Sequence, residues 1–75
     1  MNFSAKMNKD LVEWMLKQPV TISVRFIGFD FAVIQVVEVG VDYLKGYFKA
    51  MSNDSFSKDL ETVNLSAIRS YRRIH

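Results

Sequence analysis

Apolar residues crowd both sides of the chain between Phe31 and Met51, in two β-rich runs broken near Gly40. In extended geometry Val33, Gln35, Val37 and Val39 share one face, while Ala32, Ile34, Val36 and Glu38 share the other. Apolar positions on both faces predict a strand covered on both sides. Val33, Ile34, Val36, Val37, Val39 and Val41 are all β-branched, which argues against a helix here. This stretch predicts the central strand of a small domain.

Before it, Met1 to Gln18 has helical spacing. Met7, Leu11 and Met15, with Val12 and Leu16 one turn offset, form an apolar stripe that would lie on a sheet. Ser4 or Asn8 is the expected cap, and Pro19 the stop, because its ring disfavours helical geometry at Gln18. Glu13 and Lys17 are placed for a weak i,i+4 ion pair. Val20 to Ile27 alternates Val20, Ile22, Val24 and Phe26 with Thr21, Ser23 and Arg25, giving a first strand with one buried and one wet face. Gly28-Phe29-Asp30 reads as a turn, and Phe31 to Val39 as the second strand. Asp42 to Met51 is the third, with Gly46 marking a bend. Ser52 to Asp59 is a polar loop, expected to be mobile, with Phe56 packed back on its rim. Leu60 to Asn64 is a fourth strand, Leu65 to Ala67 a one-turn 3₁₀ connection, Ile68 to Arg72 a fifth strand, and Arg73 to His75 a tail. The expected architecture is mainly β: an N-terminal helix (1–18), then five antiparallel strands so strongly bent that they close into a small barrel. Residues 1–75 form one domain, with 52–59 its flexible loop.

Composition narrows the function classes. At 75 residues, folding buries only about 60% of the extended chain's surface. Such a domain usually needs a staple. It has no cysteine, and its one histidine is His75 at the end, so neither disulfides nor a zinc site are expected. The staple left is self-association, which a 49% hydrophobic chain suits. The absence of cysteine fits a reducing cytoplasm. No apolar run reaches the ~20 residues of a membrane span, and no signal peptide is evident. A net charge of +2 is too mild to argue for nucleic acid by itself. With no nucleophile beside a base and no glycine-rich phosphate loop, neither an enzyme nor a cofactor is expected. A chance pairing such as Asp30 with Glu38 has no support from spacing, and the acids read as surface charge.

Helix, five bent strands and a tiny last turn together resemble the plan of the Sm-like (LSm/Hfq-like) family. Pro19-Val-Thr-Ile22 resembles the start of its first strand. Val39-Gly-Val-Asp-Tyr-Leu44 is similar to its loop between strands two and three, and Val63-Asn-Leu-Ser-Ala-Ile68 to its second motif. The likeness spans roughly Asp10 to Tyr71. The chain departs from the family at three places: no glycine falls near Ala32 or Ile34, Lys45 stands where the family has Asn, and Asn64, Leu65 and Ser66 replace the basic or His positions of the second motif. The family's uridine pocket therefore does not carry over cleanly.

The resemblance implies an SH3-like barrel that assembles into a cyclic homo-oligomer, strands four and five of neighbours pairing, and that binds single-stranded RNA. By position, Tyr43 would stack a base, Lys45 would contact phosphate or base, and Asn64 would bond a base edge. Arg69, Arg72 and Arg73 would form a basic rim. Against this stand plainer readings: Tyr43 as a half-buried strand tyrosine and the arginines as a solvated tail, with Asp42, Asp54, Asp59 and Glu61 diluting the patch. The alternative function is a small barrel that binds a protein or serves structurally. It would present an aromatic flank drawn from Trp14, Phe29, Phe31, Tyr47 and Phe56. A small apolar or cationic ligand in a pore is a weaker third reading.

Overall fold

The computed structural model describes residues 3–16, 18–28, 30–49 and 55–74. The expectations for Lys17, Phe29, residues 50–54 and the termini therefore lie outside the described residues. One helix, α1 (Phe3–Met15), precedes five strands: β1 (Val20–Phe26), β2 (Phe31–Val39), β3 (Tyr43–Phe48), β4 (Glu61–Asn64) and β5 (Ile68–Ile74). A 3₁₀ turn at Leu65–Ala67 joins β4 to β5. The sheet is antiparallel in the order β4-β3-β2-β1-β5, so β5 returns past three strands to pair with β1. It is not a closed barrel: β4 and β5 are its two edges.

The core lies between α1 and the inner face of the sheet. Met7 and Leu11 from the helix meet Val20, Ile22 and Val24 of β1, Ile34 and Val36 of β2, Leu44 of β3, Leu65 of the 3₁₀ turn and Ile68 of β5. The alternation predicted for β1 is what the packing uses. The helical stripe is narrower than expected. Val12 and Leu16 are exposed, Leu16 at 78%, and Trp14 takes the second flank of the stripe by packing beside Tyr71. Neither proposed cap acts as one, because the helix starts at Phe3. Asn8 instead donates a hydrogen bond from its side-chain amide to the Gly40 carbonyl, fastening the helix to the β2–β3 turn.

A single helix covers a single face, so β2 is not buried on both sides. Ile34 and Val36 are buried, Val33 and Gln35 are half-buried, and Phe31 on the outer face is 60% exposed. The register slips between Val36 and Glu38, which leaves Val37 exposed at a bulge and turns Val39 inward opposite Leu44. Opposite Val36 lies Gly46. An alanine methyl there would sit 2.7 Å from Ile34 Cγ2 and closer still to the Gln35 carbonyl oxygen. The third strand approaches the second this closely only because position 46 has no side chain.

A polar clamp holds α1 to β5. The Tyr71 hydroxyl donates to Asp10 Oδ2, and Lys6 Nζ bonds both Asp10 (3.1 Å) and the Tyr71 oxygen (3.3 Å). Phe3 meets the Tyr71 ring edge-on at 5.6 Å. The hydrogen bond from Tyr71, then that from Lys6, holds the Asp10 carboxyl below its ordinary value.

Two outcomes test these contacts. Leu65→Ala should cost about 2–5 kcal/mol, the usual range for emptying a fully buried leucine site, read from the shift in urea midpoint. The depressed carboxyl of Asp10 favours the folded state above the unfolded carboxylate value near 3.8 and loses that contribution as pH falls through the lower folded value. Asp10→Asn should therefore flatten the loss of stability between about pH 5 and pH 2, measured by thermal melts across that range.

Candidate nucleic-acid interface

Tyr43, Lys45 and Asn64 do come together. In the β3–β4 register Tyr43 lies opposite Asn64 and Lys45 opposite Thr62, so all three share the outer face of one sheet edge. Tyr43 is half-buried, its ring lying against Gly40, where any Cβ would collide with it. Its hydroxyl donates to Glu38 Oε2 at 2.9 Å, and Lys45 Nζ stands 3.9 Å from the same oxygen. Glu38 thus sits among the proposed RNA-contacting groups and engages two of them. Its hydrogen bond, and secondarily its charge, pushes the Tyr43 phenol above its usual value. Asn64 is also partly committed: its Oδ1 caps the 3₁₀ turn by accepting from the Ser66 N–H (2.9 Å) and hydroxyl (2.8 Å). Its amide nitrogen is the part left to address a base edge.

The three arginines lie at the opposite edge, on β5, and do not form one rim. Alternation along the strand divides them. Arg72 pairs with Ser23 on the outer face, whereas Arg73 pairs with buried Ile22 and lays its guanidinium 5.8 Å from the Trp14 ring centroid. Arg73 is a helix contact before it is a nucleic-acid contact. Arg69 is exposed beside the register shift near the start of β5, bordering a depression of about 530 Å³ with Phe3, Ser4 and Ile27. The aromatics do not share a flank either. Trp14 is on the helix side, Tyr47 and Phe31 on the outer face, and Phe56 bridges to Lys49 at the end of β3.

Sequence reasoning missed Glu38 as a member of this group. The bulge at Val37 sets it directly opposite Lys45, and spacing alone does not reveal a bulge. It also missed Arg25, which the β1–β5 pairing brings beside Ser70 and Arg72. Among the described residues no three His, Cys, Asp or Glu side chains gather as metal ligands, and no helix is long and apolar enough to cross a membrane.

Comparison of the chain with protein-family models, curated proteins and solved structures found no match.

The Glu38 contact makes a spectroscopic prediction. Glu38→Gln removes the charge and weakens the bond that raises the Tyr43 phenol, so its ultraviolet titration should move down toward the ordinary value near 10. A titration that stays in place would mean that Glu38 does not hold the hydroxyl in solution.

Proposed function

We propose that this chain is a subunit of a cyclic, Sm-like assembly in which β4 of one copy pairs with β5 of the next, and that the ring binds single-stranded RNA. The observation that carries the reading is the pair of sheet edges, each unpaired on one side among the described residues, with opposite charge. Glu61 on β4 and Asp59 just before it, against Lys58, make one edge acidic, while Arg69, Arg72 and Arg73 make β5 basic. An unpaired edge offers a row of backbone donors and acceptors to another strand. Two different edges on one molecule join head to tail, which gives a ring when the rotation closes. Opposite charge favours this order over β4–β4 or β5–β5 pairing.

Assembly would also reunite the two halves of the candidate site. Within one chain, Tyr43, Lys45 and Asn64 lie at one edge and Arg72 on the outer face of the other. In a β4–β5 contact the edge bearing Asn64 meets the neighbour's edge bearing Arg72. Stacking on Tyr43, a hydrogen bond from Asn64 and phosphate contacts from Lys45 and Arg72 would then line one continuous surface. The second reading, a structural or protein-binding module, is favoured by Glu38. A carboxylate among the contacting groups repels phosphate and occupies Lys45 and Tyr43.

Light scattering should give a mass several times the 8.7 kDa of the single chain, and Glu61→Arg, which makes both edges basic, should lower it. A wild-type mass of one chain at high concentration contradicts the ring. For RNA, anisotropy with a short single-stranded oligomer should show binding that weakens with salt, as counterion release requires. Tyr43→Ala should cost about 1–3 kcal/mol of affinity, the range for one stacked base, and Glu38→Gln should strengthen binding. If neither variant moves the affinity, the module reading stands instead.

A further inference from the structure

The outer face of β1, β2 and β5 carries a second constellation, which shares only Arg72 with the RNA reading. In the β1–β5 register Arg25 stands opposite Ser70 and Ser23 opposite Arg72, so guanidinium and hydroxyl groups alternate diagonally across two strands. On the other side of Arg25, in the β1–β2 register, lies Phe31. These five residues border a depression of about 430 Å³, within the size range of small-molecule sites.

We propose that this depression binds a phosphate monoester with a flat, apolar body, as a free small molecule. Arg25 and Arg72 are diagonal neighbours, about 7–8 Å apart in regular sheet with their Cβ atoms somewhat closer, so both forks can converge on one phosphate. Guanidinium matches phosphate oxygens two at a time, and the interleaved hydroxyls of Ser23 and Ser70 can donate to the remaining oxygens. No acidic side chain lines the depression, and neither arginine has an ion-pair partner among the described residues. The local charge is therefore uncompensated and positive, which complements a dianion. Directly across from Arg25, the exposed phenyl of Phe31 offers an apolar surface to the body of the ester. The site sits on a sheet face and uses side chains alone. It does not depend on whether the β5 edge pairs with another copy, so its test is separate from that of the ring.

The probe is phenyl phosphate, titrated calorimetrically into the full chain, with inorganic phosphate and benzoate as controls. Phenyl phosphate should bind saturably, one per chain, and more tightly than either control. Arg25→Gln and Arg72→Gln should each weaken it by about tenfold or more, the loss of a charge-assisted contact. Phe31→Ala should bring its affinity down to that of inorganic phosphate. All three residues are exposed, so circular dichroism should show folded variants. An absence of saturable binding, or binding that both arginine variants leave unchanged, overturns the proposal. So does tighter binding of benzoate than of phenyl phosphate.

Discussion

Three residues, Leu65 to Ala67, dictate the shape of the sheet. They connect β4 to β5, which are its two outermost strands. In a flat five-stranded sheet those strands would lie four spacings apart, about 19 Å. The four peptide steps from Asn64 to Ile68 reach at most ~15 Å even fully extended, and a 3₁₀ turn advances only about 2 Å per residue. The sheet must therefore curl until its edges approach at that end. Two backbone bonds hold the turn in place, Leu65 N–H to the Asp42 carbonyl (2.8 Å) and Ile27 N–H to the Ala67 carbonyl (3.0 Å). Leu65, fully buried, fills the space that the curl encloses beneath the helix.

Curling without closing has consequences for so small a chain. The edges come near each other at the 3₁₀ turn, yet among the described residues each keeps one side unpaired. One helix shields the concave face, while the convex face is left with Phe31 and Ile74 exposed among polar residues. Hydrophobic burial within one copy is therefore modest, and the edges are where further hydrogen bonding can be gained. Charge is distributed in the same sense, acidic toward β4 and basic along β5. A strand edge, its charge and the meagre core are all compatible with the proposed head-to-tail contact.

Local pattern in the sequence carried a good part of this. Phe31–Val39 and Leu65–Ala67 stand where β-branching and the turn between apolar runs placed them, whereas Gly46, expected to mark a bend, is a point of close strand approach. What local pattern could not supply was register. The slip after Val36 reverses which valines face inward and moves Glu38 opposite Lys45. The return of β5 to β1 is a long-range pairing, so it was not legible that the strand runs on through Arg73, expected in a tail, nor which of Arg72 and Arg73 faces outward until the partners Ser23 and Ile22 were known. Asn8 was misread for a similar reason: its partner, the Gly40 carbonyl, is 32 residues away. Barrel closure failed because strong bending and edge-to-edge hydrogen bonding are different requirements, and only the first is imposed by a short connection.

Backbone amide exchange along the two edge strands, followed as protein concentration is raised, probes the coupling of copies most directly. If β4 of one chain pairs with β5 of the next, amides of Glu61–Asn64 and Ile68–Ile74 that point away from the sheet should slow together with concentration, approaching those of β1 and β2. Edge amides that exchange rapidly and equally at every concentration would contradict edge pairing, and with it the cyclic assembly.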